Sequence, residues 1–347
     1  MRRTLHWSAV TLLAASVAAC GWYNQAISGH SEIMRQRQPV ADLLADPATP
    51  DDLRNWLALS AKIRDFASRE LDLPDNDSYR LYADLERDEA LWIVVAAPEF
   101  SLTPKSWCYL FVGCQNYRGY FSRPAADRKA GELADQGFDT AVLAAGAYST
   151  LGWFADPLLA SMRDFDDWEL GELIFHELAH QELYIDDDTR FNESFADFVA
   201  ATGAERWFAA HPDPDEEAIW RAGRTRRERF HGVLDGARRE LAALYAGSLD
   251  EAAMRREKQR IIAALHEALA GAGFKVDVPY NNARLANEAV YRSGMAQFAE
   301  VFAHCQESYP DFYRAMRRVG HWPQARRQAW LDGGREDLAA LCKNEND

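Results

Sequence analysis

"GELIFHELAHQELYIDDDTRFNESFADFVA", residues 171–200, decides how this chain is read. Ile174 and Leu178, with Phe175 and Ala179 beside them, form an apolar stripe at helical spacing. Asp164, Asp166 and Asp167 lie just upstream, where acids suit a helix N-terminus. On such a helix His176 and His180 stand on adjacent turns of one face, so both imidazoles can converge on one metal ion. Glu177 follows the first histidine and can reach water at that metal as a general base. A helix with two ordinary surface histidines would show the same spacing, so the second half of the stretch carries the decision. A catalytic zinc takes three protein ligands and keeps one position open. "NESFAD" supplies Glu193 as the third ligand and, four residues on, Asp197 to accept the outer N–H of a ligand histidine. Glu193 also suits the first turn of a helix capped by Asn192. The expected cofactor is Zn2+, one per chain, with no organic cofactor.

The rest of the chain sets the frame. Its 347 residues are 48% apolar and 27% charged, which suits a globular protein with a buried core. The net charge of −15 argues against a basic groove for nucleic acid. "MRRTLHWSAVTLLAASVAAC" has two arginines, a short apolar run and small residues, the layout of an export signal over residues 1–19. Its "VAAC" ending resembles a bacterial lipobox, which implies cleavage before Cys20 and lipidation of that cysteine. Gly21 follows rather than Asp, so the expected location is the outer membrane of a Gram-negative bacterium, facing the periplasm. Loss of Arg2 and Arg3 takes the charge of the body from −15 to −17, so attachment would come from the lipid rather than from the protein surface. Cys108, Cys114, Cys305 and Cys342 remain, with disulfides permitted and three pairings open.

Residues 21–90 have helical periodicity, broken by the turn residues of "DLPDNDS" at 72–78. "ALWIVVAA", "WCYLFVGC", "YRGYFS" and "TAVLAAGAYST" read as strands, and 125–136 as a helix. After residue 200 the pattern is again helical. The expected fold is α+β and mainly helical, zincin-like, with a small mixed sheet beside the H-E-x-x-H helix. It comprises one catalytic domain over 20–347, with N-terminal and C-terminal helical parts.

"HELAH…NESFAD" resembles the gluzincin class of zinc metallopeptidases. Together with the lipobox, "CQNYRGYF", "AYSTLGWFADP", "LIFHELAHQ", "FNESFADFVA" and "NNARLA", it resembles the bacterial putative aminopeptidase family of zinc-dependent lipoproteins. The resemblance implies His176, His180 and Glu193 as zinc ligands, Glu177 as general base and Asp197 as the partner of a ligand histidine. It implies peptide substrates and aminopeptidase activity. One departure stands out: only twelve residues separate His180 from Glu193, fewer than in thermolysin-like enzymes, so their substrate cleft does not transfer.

The supporting residues carry less signal. Tyr291 is the first candidate for stabilising the oxyanion, with Tyr280 and His321 behind it. An added peptide strand would pair with a sheet edge at 146–157, making Tyr148, Ser149, Thr150 and Gly152 candidates for substrate binding. Arg118 could hold a substrate carboxylate, or pair with an acidic neighbour. Asp186, Asp187 and Asp188 read as a solvated loop. Two other functions fit the same residues: an endopeptidase acting on envelope proteins or cell-wall peptides, and a non-catalytic envelope lipoprotein holding a structural metal. A structural site has no need of Glu177, which favours the enzyme.

Overall fold

The chain builds the two motif-bearing helices side by side and packs its other elements around them. The computed structural model describes residues 21–109, 113–288, 294–336, 338 and 341–342. Residues 21–36 form helix α1, followed by β1 (Gln38–Pro39), α2 (Val40–Ala45), α3 (Asp51–Glu70) and β2 (Leu81–Ala83). Next come β3 (Leu91–Pro98), β4 (Trp107–Tyr109), β5 (Gly113–Gln115), β6 (Arg118–Tyr120), α4 (Arg123–Ala134), β7 (Phe138–Ala145) and β8 (Leu158–Leu159). A short 3-10 turn leads into α5 (Asp167–Glu182) and α6 (Thr189–Ala210), which carry the motifs. The long pair α7 (Pro214–Tyr245) and α8 (Glu251–Gly271) follows. Then come α9 (Asn282–Glu288), α10 (Met295–His304), α11 (Tyr309–Gly320) and α12 (Gln324–Leu331).

The fold is mainly helical, with small sheets. β1 and β2 pair antiparallel and β2 and β8 parallel, a mixed sheet that ends shortly before α5. β6–β3–β7 is antiparallel, with Val94 opposite both Arg118 and Val142. β4 and β5 form a hairpin with Cys108 opposite Cys114. The strand expected over 140–150 stops at Ala145, and 146–157 is loop, not sheet edge. Turn chemistry overrides the β-formers there: Leu151 and Gly152 are left-handed, at φ 55° and 80°.

Helical periodicity sorts the side chains of α6. Phe191, Phe195 and Phe198 form one buried stripe, while Glu193 and Asp197 lie on another face. The phenylalanines pack with Phe298, Phe302 and Phe312 of α10 and α11, and each fully buried ring stabilises the fold by roughly 2–3 kcal/mol. On α5, Leu170, Ile174, Phe175 and Leu178 are buried, and Phe175 meets Phe66 of α3. Gly203 lets α6 approach closely, because a Cβ there would stand 2.9 Å from the Phe175 ring and 2.7 Å from Leu71. α7 and α8 enclose a second cluster around Leu234, Leu241, Ile261, Leu265 and Tyr280. Lys258 of α8 ties this pair to the central sheet through Asp139 at 2.7 Å.

Disulfides join Cys108 to Cys114 and Cys305 to Cys342. The fifth cysteine, Cys20, lies outside the described residues, as do residues 1–19. No helix among the described residues is long and apolar enough to cross a membrane.

Candidate metal centre

α5 begins where Glu169 accepts the backbone N–H of Asp166 at 3.2 Å, satisfying a donor the helix cannot. Three turns on, it presents His176 and His180. Their Nε2 atoms stand 3.1 Å apart, with rings nearly perpendicular. α6 brings Glu193 against both: one carboxylate oxygen lies 3.4 Å from His176 Nε2, the other 3.7 Å from His180 Nε2. Tetrahedral zinc with bonds of about 2.1 Å would hold its ligand atoms roughly 3.4 Å apart. The two distances to Glu193 run to different oxygens; taken one atom per residue, the three candidate ligand atoms all lie within 4.8 Å of one another, close enough to hold one ion.

The proton inventory agrees with a metal site. Asp197 Oδ1 lies 3.0 Å from His176 Nδ1, fixing the proton on that nitrogen and leaving the Nε2 lone pair facing the cluster. His180 is 5% exposed, and its Nδ1 is buried with no partner among the described residues. Burial pushes the Glu193 carboxyl up, but the charge of His180 and hydrogen bonds from both histidines outweigh it and hold the group well below the usual range. Burial likewise lowers His176, but Asp197 and Glu193 outweigh it, and its pKa stands well above normal. These residues fit a zinc ion, and loading one would release a proton.

The short link between the helices differs from expectation. Asp188, not Asn192, caps α6, accepting the N–H of Phe191 at 3.2 Å. Asn192 instead clasps Ile185: its Oδ1 accepts the Ile185 N–H, and its Nδ2 donates to the Ile185 carbonyl, both at 2.8 Å. Asp188 is 2% exposed and bound by Arg327 at 2.8 Å and Gln328 at 2.7 Å, so it is no solvated loop residue. Asp186 and Asp187 are exposed, and Asp187 accepts the backbone N–H of Cys114 at 3.0 Å.

A cleft of about 470 Å³ opens beside His176, Glu177 and Asp197. Glu177 lines it and makes no hydrogen bond with the described residues, as a general base requires. Behind Glu177, Asp156 is fully buried and accepts from Thr150 N–H and Oγ1, both at 2.8 Å, and from Ser149 Oγ at 3.4 Å. Burial, with the charge of Glu177 adding to it against the Thr150 and Ser149 hydrogen bonds, pushes the Asp156 carboxyl up to about 6.

The other sequence candidates are spread more widely. Ser149 and Thr150 serve Asp156, Tyr148 hydrogen-bonds His30 at 3.1 Å, and a Cβ on Gly152 would stand 3.1 Å from Gln181. Arg118 lies over the Trp22 ring at 4.8 Å rather than on an acid. Tyr280 is buried with the α7–α8 cluster, and His321 is exposed at the end of α11. Tyr291 lies outside the described residues. Sequence reasoning missed Tyr117, whose hydroxyl is influenced first by burial and then by the charges of Glu193 and Glu177. It also missed the cleft carboxylates Glu169, Glu172, Glu228 and Glu288. The only sequence signal near Tyr117 was its place in "CQNYRGYF".

No curated protein and no solved structure matches the chain. A family model described as "Putative aminopeptidase" matches residues 21–331, so the chain belongs to that family.

Proposed function

We propose that this protein is a zinc-dependent aminopeptidase, lipid-anchored through Cys20 in the outer membrane and facing the periplasm. The observation that carries the peptidase reading is the convergence of His176, His180 and Glu193 beside an uncommitted Glu177. A zinc ion held by these three would polarise the scissile carbonyl and acidify water. Glu177 takes a proton from the attacking water as its oxygen bonds to the carbonyl carbon. It returns that proton to the amine nitrogen as the C–N bond breaks. Asp197 keeps the His176 ring oriented throughout.

The charge of the cleft supports the exopeptidase reading. Its two arginines are committed: Arg227 to Glu172 at 2.6 Å, and Arg224 to Glu205 at 2.7 Å. Glu169 and Glu288 also line it, and an acidic lining attracts the free α-amine of a peptide. Burial raises the Glu288 carboxyl, against the pull of Arg284 and Arg238, and a bound ammonium would favour its charged form. The apolar run before "VAAC" and the two disulfides support export to an oxidising compartment.

The test pairs zinc analysis with digestion of a peptide library by wild type and Glu177→Gln. Both should bind about one zinc per chain, and only wild type should cleave, releasing single residues from free but not acetylated N-termini. Equal cleavage by both proteins would remove Glu177 from its role. Internal cuts would replace the exopeptidase reading with the endopeptidase one.

A further inference from the structure

We propose that one flank of α1, joined by the loop that carries Trp153 and Phe154, is a docking face for the surface of a lipid bilayer. This rests on the reading of Cys20 as the lipid-bearing residue, and it adds which face of the body meets the membrane.

Helix geometry divides α1 into an inner and an outer side. Trp22 donates its indole N–H to the Gly119 carbonyl, and Gln25 Oε1 accepts the Phe121 N–H, both at 2.9 Å. Gly29 lies against the Phe121 ring, where any side chain would clash, and Ile33 is fully buried. Tyr23 and Ile27, four residues apart, therefore stand on another flank; both are exposed, Ile27 at 62%. His30 joins that flank to the loop. Its Nδ1 hydrogen-bonds the Tyr148 hydroxyl at 3.1 Å, and its ring centre lies 4.5 Å from that of Phe154. Arg37 fastens the loop a second time, donating to the Ala155 carbonyl at 2.8 Å. Within the loop, Thr150 Oγ1 accepts the Phe154 N–H at 3.1 Å. Trp153 and Phe154 are thus held in a braced turn and remain 67% and 51% exposed.

Three observations point to a bilayer as the occupant. Of the seven large apolar side chains exposed among the described residues, four lie on α1 or on the loop bound to it. Such a concentration marks a binding surface, whereas exposed apolar residues scattered singly do not. The second observation is charge. Residues 21–31 and 140–155 contain no Asp, Glu, Lys or Arg, in a chain that is 27% charged. Burial, followed by the charge of Arg37, lowers the pKa of His30, so its ring is uncharged at neutral pH. An acidic body gains nothing from anionic lipid, which leaves apolar contact, and Tyr, Trp and aliphatic side chains settle at headgroup depth. The third is position. α1 begins at Gly21, the residue after Cys20, and Tyr23 and Ile27 lie in its first two turns. The patch therefore starts where the acyl chains of Cys20 would enter the membrane. A Cβ on Gly152, next to Trp153, would stand 3.1 Å from Gln181 of α5, so docking holds the metal-bearing helix close to the bilayer.

The test uses the full-length protein, purified from cell envelopes and reconstituted into phosphatidylcholine vesicles, with mass spectrometry of Cys20 for its lipid. Cys108, Cys114, Cys305 and Cys342 are paired, so a cysteine placed by Ile27→Cys, Phe154→Cys or Leu249→Cys can carry a polarity-sensitive fluorophore alone. Leu249, exposed on the link between α7 and α8, is the control. Labels at Ile27 and Phe154 should shift to the blue and be quenched by iodide about tenfold less than the label at Leu249. Trp153→Ser/Phe154→Ser should restore most of the quenching at Ile27. Equal quenching at all three positions of the lipidated protein overturns the docking face. Unshifted labels, together with a raised KM for apolar peptides in Trp153→Ser/Phe154→Ser, overturn it in favour of a substrate subsite. If Cys20 carries no lipid, the anchor reading fails, and the same labelled variants with Cys20→Ser, mixed with vesicles, decide the face by themselves: a blue shift at Ile27 and Phe154 upholds it, and none overturns it.

Discussion

The metal centre has two kinds of wall. One is α5 and α6, which supply His176, His180, Glu193 and Asp197 from 22 consecutive residues. The other is assembled from distant segments: the loop holding Asp156, and the cleft residues Glu228 and Glu288 from α7 and α9. The contrast teaches that metal binding and substrate handling rest on different orders of structure. The first needs two helices in register; the second needs the whole fold.

That division can be broken by mutation. The largest expected effect lies in the distant wall and is on stability. The Asp156 carboxyl is raised from 3.8 to about 6, so between those values the folded protein holds more protons than the unfolded chain. Stability should therefore fall as pH rises through that window, by at most roughly 3 kcal/mol. Urea unfolding across pH 4–7 should show this slope in wild type and a flatter one in Asp156→Asn; equal slopes would mean that Asp156 is not the titrating group. Next comes Asp197→Asn in the near wall, which should weaken zinc affinity about 10–100-fold in competition with a chelator. An unchanged affinity would show that the His176 ring needs no such support. The smallest effect is expected from Glu288→Gln, which should leave zinc affinity unaltered while raising KM for free N-terminal peptides about three- to tenfold. A loss of zinc in that variant would mean that the two walls are not separable.

How much was legible follows the same line. His176, His180, Glu193 and Asp197 could be read because helical periodicity alone brings each pair onto one face. The mainly helical fold and most strands were legible for the same local reason. The cap of α6 was not, because Asp188 outcompetes Asn192 through Arg327 and Gln328, which lie 139 and 140 positions away in sequence. The loop at 146–157 has strand-forming residues, but Asp156 draws Ser149 and Thr150 into a turn once all three are buried or half-buried together. The docking of the β4–β5 hairpin gave no periodic signal, since it depends on a disulfide and on contacts with Asp187 and Tyr184.

The Asn192 clasp has a consequence for how the link between α5 and α6 can vary. Asn192 and Glu193 are neighbours on one helix, so the residue that closes the linker also sets the rotational phase of the metal ligand. Each α-helical residue advances the chain by about 100°. A residue inserted between these two would leave the clasp shut and turn the carboxylate away from both histidines. Lengthening at exposed Asp186 would leave that phase untouched. The linker thus behaves as an indexed joint: its exposed bend can change length, while the single step from Asn192 to Glu193 cannot.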